Sequence, residues 1–165
     1  MRRFIMLLSV VGCVCAGICF AQRLPWQTGA KTAEHQQVQY LYPQQISIAA
    51  RKSTVVDLHF RVQNNLHINS HTPRQKSLIR TELIVLQPQG VDVSAVDFPP
   101  GGDYAFPADP KDILSVYSGE FVLHAHITAQ PGEHLIQAEL RYQACDSNSC
   151  FPPKKAPLAV DVIAK

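Results

Sequence analysis

An excess of charge of either sign is what this sequence most plainly lacks. Its 165 residues carry 15 Lys plus Arg and 13 Asp plus Glu. Two of the cations, Arg2 and Arg3, lie within the first 21 residues, so the remainder holds 13 of each sign and no formal net charge. No basic patch or charge run stands out, which disfavours nucleic acid as a partner. After residue 21 no apolar stretch approaches the length of a membrane span. A helical period of useful length is missing, as are an internal repeat, a phosphate-binding glycine loop and a hydrolase triad. Cysteine is scarce as well. Three of the five cysteines are Cys13, Cys15 and Cys19, which leaves only Cys145 and Cys150 after residue 21.

The first 21 residues are a different material. "MRR" gives a positive start and "FIMLLSVVGCVCAGICF" (4–20) is an uncharged apolar run. Cys19 and Ala21 then stand as small residues at the −3 and −1 positions. The pattern reads as a secretory signal peptide cut after Ala21. At 17 residues the run lies at the short limit for an uncleaved anchor, and "VVGC" (10–13) offers lipidation at Cys13 as a further alternative. Residues 22–37 are polar and unpatterned, and read as a flexible N-terminal arm ahead of one domain over 38–165. Export would place Cys145 and Cys150 in an oxidising compartment.

What the domain does have is β-pattern. "STVVDLHFRV" (53–62) places Val56, Leu58, Phe60 and Val62 on one face and Asp57, His59 and Arg61 on the other, the period of a half-buried strand. "EFVLHAHITAQ" (120–130) does the same with Phe121, Leu123, Ala125 and Ile127, and "EHLIQAELRYQA" (133–144) with Ile136, Ala138, Leu140 and Tyr142. "ISIAA" (46–50), "RTELIVLQP" (80–88), "VDVSAVDF" (91–98) and "APLAVDVIA" (156–164) add further strands. Seven or eight short strands separated by turn-rich joints predict an all-β, two-sheet antiparallel sandwich. Two longer joints interrupt it: the polar "NNLHINSHTPRQKS" (64–77) and "PPGGDYAFPADPKD" (99–112). The second carries Tyr104 and Phe106, and aromatics in a long loop must pack on something. It reads as a possible cover.

"QACDSNSCFPP" (143–153) holds the cysteine pair. Asp146, Ser147, Asn148 and Ser149 are turn formers, so Cys145 and Cys150 would face each other across a hairpin tip, within the reach of a disulfide. As a staple the bond is weak, since closing so short a loop removes only about 2 kcal/mol of chain entropy. As a redox pair it is exposed to an incoming thiolate and opens without unfolding the domain. Residue chemistry alone leaves the two readings open. Asp146, or Asp109 from the second long joint, could tune the thiols, although both also suit solvated turns. Two thiolates make only half of a tetrahedral metal site. His124 and His126 share a strand face and read as a polar exterior, and His59, His67, His71 and His134 show no ligand spacing. No metal site is expected.

The stretch "YQACDSNSCFPPKKAPLAV" (142–160) resembles the cysteine hairpin of the N-terminal periplasmic domain of the bacterial thiol:disulfide interchange protein DsbD. That pattern is Tyr-Gln-x-Cys, a short turn, then Cys-x-Pro-Pro and a final strand. Tyr142, Gln143, Cys145, Cys150, Pro152 and Pro153 match it in order. "LHINSHTP" with "LIRTEL" (66–83), "DFPPGG" (97–102) and "SVYSGEFVLHAHI" (115–127) resemble further segments in the expected order. The resemblance implies an immunoglobulin-like sandwich with a redox cysteine hairpin and a cap loop, and a periplasmic carrier of reducing equivalents that needs no cofactor. It implies a thioredoxin-like domain or a membrane electron transporter as donor. The implied acceptors are a periplasmic disulfide isomerase or a thioredoxin-like protein of cytochrome c maturation. By position, Cys150 forms the mixed disulfide with the donor and Cys145 resolves it, while Tyr104 or Phe106 shields the pair. The turn between the cysteines is one residue shorter than in the best-known members, and no transporter or thioredoxin domain follows in this sequence, so the donor is expected to be a separate protein. A non-redox binding module with a structural disulfide is the competing reading.

Overall fold

The computed structural model describes residues 36–42, 44–86, 89–107 and 109–165. The expected signal peptide, its cleavage or lipidation, and nearly all of the N-terminal arm fall on residues 1–35, outside the described residues. Among the described residues, no helix is long and apolar enough to cross a membrane.

Among the described residues, twelve strands follow in chain order: β1 (Val38–Leu41), β2 (Gln44–Ile48), β3 (Thr54–Val62), β4 (His67–Asn69), β5 (Glu82–Val85), β6 (Val91–Asp97), β7 (Gly102–Ala105), β8 (Ile113–Tyr117), β9 (Glu120–Ala129), β10 (Gly132–Tyr142), β11 (Ala144–Cys145) and β12 (Lys154–Ala164). They form three sheets, ordered β1-β3-β9-β6, β2-β12-β10-β5 and β11-β4-β8-β7. The first two enclose one core as an immunoglobulin-like β-sandwich.

Alternation builds that core. On β3 the side chains of Val56, Leu58, Phe60 and Val62 are buried, and β9 answers with Phe121, Leu123, Ala125, Ile127 and Ala129. Their register sets Phe60 opposite Phe121 and Leu58 opposite Leu123. In the second sheet β10 and β12 run antiparallel along their whole length, with Ile136 opposite Val160, Ala138 opposite Leu158 and Leu140 opposite Ala156. The burial of every second residue removes one apolar face of each strand from water, the dominant stabilising term for such a layer.

The successive strands β5 and β6 belong to different sheets: β5 lies against β10 and β6 against β9. Gly90 turns the chain between them at φ +73°, a conformation that suits glycine. Two features depart from the sequence reading. The sandwich is not wholly antiparallel, because β2 pairs parallel with β12. The long stretch of chain between those two strands leaves no hairpin constraint on their direction. Finally, the two long joints are not loops throughout. Residues 64–77 contain β4 and residues 99–112 contain β7, and both strands belong to the small third sheet.

Candidate functional site

The β10–β12 ladder closes at Tyr142 opposite Lys154. Beyond it the chain makes a tip that leaves the second sheet. β11 turns to pair with β4, setting Ala144 opposite Ile68 and Cys145 opposite His67. The tip is closed by its own hydrogen bonds. The Phe151 N–H donates to the Ala144 carbonyl at 2.8 Å and the Asp146 N–H to the Ser149 carbonyl at 2.9 Å. Asp146 Oδ1 accepts from the N–H groups of Asn148 and Ser149 at 2.7 and 2.8 Å, an Asx turn of the kind these residue types favour. Those same N–H groups, and then the His67 imidazole, hold the Asp146 carboxyl below its usual range.

Cys145 and Cys150 oppose each other as an isolated antiparallel bridge. They form a disulfide, with Cα atoms 3.9 Å apart, somewhat closer than an average opposed pair. Their accessibility differs sharply: Cys145 is 3% exposed, whereas Cys150 is exposed to solvent. A nucleophile from outside therefore meets the Cys150 side of the bond.

His67 is the neighbour that sequence reading missed. It is 4% exposed, and its Nε2 is buried without a hydrogen-bond partner. Burial pushes the imidazole below its ordinary pKa, against a smaller opposing pull from the Asp146 carboxylate. The flanking Ile68 and Asn69 are buried too, so this strand offers no alternation by which it could have been found.

Of the cap candidates, the structure brings Tyr104 to this group. Tyr104 lies on β7, and its ring centroid is 4.1 Å from that of His67. Phe106 is half-buried just beyond β7. Its N–H donates to the Asp112 carbonyl at 3.1 Å, and its carbonyl accepts from the Asp109 N–H at 3.0 Å. Asp109 is exposed and accepts from the Lys111 N–H at 3.2 Å. Both residues thus make bonds within the β7–β8 turn. Asp146 sits on the tip itself. His124 and His126 are on the outer face of the first sheet, at 2.7 Å from Asp57 and Asp97 respectively. Among the described residues, no group of three or more His, Cys, Asp or Glu is arranged to hold a metal ion.

The β7–β8 hairpin, which carries Tyr104, is held in place by polar straps. Arg74 Nη2 lies 2.5 Å from Asp103 Oδ1, and Gln75 Nε2 donates to Asp112 Oδ1 at 2.7 Å. At the base of the hairpin, the buried hydroxyls of Ser70 and Ser115 are 2.9 Å apart. Gly101 fits against them without room to spare, since a Cβ there would meet Ser115 Oγ at 2.2 Å and Ser70 Cβ at 2.7 Å. Gly101→Ala is therefore expected to displace the start of β7 and to lower stability by about 1–3 kcal/mol, as overpacking does. Chemical denaturation checks this; wild-type stability would show that the segment yields freely.

The family model for the N-terminal part of the thiol:disulfide interchange protein DsbD matches residues 37–161. Among solved structures, the chain is similar to the N-terminal periplasmic domain of ScsB from Proteus mirabilis, at 14% identity and a TM-score of 0.46. That likeness covers 68% of this chain and 42% of the ScsB chain, so the chain spans less than half of it. It is also similar to the reduced N-terminal domain of Neisseria meningitidis DsbD, at 16% identity and a TM-score of 0.39, over 67% of this chain and 78% of that one. No curated protein matches. The family match runs from the residue before β1 into β12 and includes the whole cysteine tip, and on that extent the chain belongs to the DsbD N-terminal family of thiol:disulfide interchange proteins.

Proposed function

We propose that Cys145 and Cys150 carry reducing equivalents by thiol–disulfide exchange in the periplasm. The observation that carries this reading is the pairing of an exposed Cys150 with a buried Cys145, on a tip that lies outside the β10–β12 ladder. The bond can be attacked from one side and opened without breaking a sheet.

A donor thiolate attacks Cys150 Sγ, forming a mixed disulfide, and the bonding pair of electrons stays on Cys145. A second donor thiolate then attacks the donor sulfur of that mixed disulfide and releases Cys150. The donor leaves as a disulfide and the carrier as a dithiol. Reversal of these steps reduces an oxidised partner. The electrons travel in the sulfurs, so no cofactor takes part. The family supports thioredoxin-like partners in general. The donor we propose is a thioredoxin-like domain or membrane electron transporter. The acceptors are a periplasmic disulfide isomerase or a thioredoxin-like protein of cytochrome c maturation. Tyr104, seated on His67, is the cap residue the geometry supports best as the shield, ahead of Phe106 and Asp109.

The reduction potential tests the reading. Protein purified from the periplasm of an expressing bacterium is equilibrated in glutathione and dithiothreitol buffers. A potential between roughly −180 and −270 mV, the range of exchange proteins, is expected. A potential well below about −300 mV would mark a structural bond and return the domain to a non-redox binding module.

A further inference from the structure

The exchange chemistry has a difficulty at Cys145. When the bond opens, this sulfur leaves as an anion in a site that is 3% exposed. Burial in apolar surroundings raises a thiol's pKa and makes it a poorer leaving group. The flanking Ala144, Ile68 and Tyr142 are themselves buried. Something must offset that cost if the pair is to exchange at a useful rate.

Opposite Cys145 stands His67. Directly opposed residues of an antiparallel pair project from the same face, with Cβ atoms about 4.5–5.5 Å apart. A buried nitrogen without a partner is costly, and His67 Nε2 is such an atom. The sulfur of an intact disulfide is a poor acceptor, but a thiolate is a good one. We propose that His67 is a positioning residue for the exchange: its imidazole, whose Nε2 has no hydrogen-bond partner while Cys145 is bonded to Cys150, takes up the Cys145 sulfur when the bond opens and holds it as a thiolate. This rests on the carrier reading above.

The groups around His67 fit that part. From β11 and the tip come Cys145 and the Asp146 carboxylate, which favours the protonated imidazole. From β7 comes Tyr104, whose ring lies tilted against the imidazole. On β8, Tyr117 is already committed, donating from its hydroxyl to the Pro99 carbonyl at 2.9 Å. The electron pair of the broken bond stays on Cys145 Sγ, where the imidazole N–H holds it by a hydrogen bond; the proton that completes the dithiol is one of the two the donor dithiol gives up, and it reaches the sulfur through the imidazole as imidazolium. In the reverse direction the imidazole receives that proton back, and Cys145 is freed to attack the mixed disulfide.

A purely structural His67 would only seat Tyr104. Two variants separate the roles. His67→Phe keeps an aromatic face for Tyr104 and removes the N–H; His67→Gln removes the ring and keeps a donor. The readout is the rate of reduction by dithiothreitol as a function of pH. We expect His67→Phe to slow reduction about threefold, since the rate feels only about half of a one-unit change in thiol pKa, and His67→Gln to recover most of the loss. The reverse order, or no change in His67→Phe, would overturn the proposal. Independently of whether either variant folds, the His67 imidazole is titrated by NMR in the wild-type protein, oxidised and reduced. Its midpoint is expected to rise by about one unit on reduction, as a neighbouring anion requires; equal midpoints would overturn the proposal. A wild-type bond that glutathione buffers cannot open would sink the carrier reading, while the dithiothreitol and NMR comparisons would still decide the part played by His67.

Discussion

Cys150→Ser is expected to abolish exchange with any dithiol partner while leaving the domain folded. In the proposed exchange the incoming thiolate attacks at Cys150, the exposed residue of the pair, and without its sulfur no mixed disulfide forms there. The remaining Cys145 is buried and has no partner with which to complete a two-electron cycle. The structural loss is small by comparison. The closed loop is only five residues in sequence separation, for which chain entropy gives about 2 kcal/mol. In a domain of this size that is a fall of about 5–10 °C in melting temperature. The β10–β12 ladder and the Phe151-to-Ala144 hydrogen bond remain to hold the tip. The measurement pairs a thermal melt with reduction of the carrier by a thioredoxin-like donor, followed by thiol labelling. Retained transfer in Cys150→Ser would refute the redox assignment; a collapse of the fold would mean that the bond is a staple after all.

Phe60→Ala is the substitution expected to cost most in stability. Phe60 is 0% exposed. Its ring stacks on Phe121 with centroids 5.5 Å apart and tilts against Tyr40 at the same distance. Phe121 in turn stacks on Tyr117 at 4.8 Å, and the Tyr117 hydroxyl binds the Pro99 carbonyl ahead of β7. A run of rings thus leads from the centre of the sandwich to the start of the hairpin that carries Tyr104. Removing a buried Phe typically costs about 3–5 kcal/mol, a large share of the about 5–15 kcal/mol that holds a domain together. Urea denaturation should show a much lower midpoint with an unchanged slope. Val55→Ala, on the same strand but 51% exposed, should shift stability by no more than about 0.5 kcal/mol. Similar effects at the two positions would contradict the inward and outward assignment of β3.

The frame was legible where a strand has core on one side and water on the other. The apolar positions read from β3, β9 and β10 are the ones the structure buries, because period-2 patterning records that asymmetry directly. Strands without the asymmetry were not legible. β4 is buried at all three residues and β7 is mostly exposed, so neither alternates and neither is legible as a strand. The same gap divided the site. The sulfur pair is local in sequence and its turn chemistry is explicit in Asp146–Ser149. His67 lies in a polar stretch far upstream, and only the pairing of β11 with β4 brings it opposite Cys145. Tyr104 could be read as an aromatic in need of a partner, but not as one that finds it in His67.

The direction of β12 has a practical consequence. The strand begins at Lys154, next to the cysteine tip, and runs 11 residues to Ala164, a length of about 33 Å at the usual rise per residue. Lys165 is then fastened at the far end, its N–H donating to the Ile48 carbonyl at 3.0 Å and its carbonyl accepting from Ala50 at 2.8 Å. The cysteine tip and Lys165 thus lie at opposite ends of β12. A dye, an electrode linker or a fused protein attached at Lys165 would stand the domain upright with its disulfide facing outward. To touch its own sulfurs, such an attachment would need a tether of about ten extended residues.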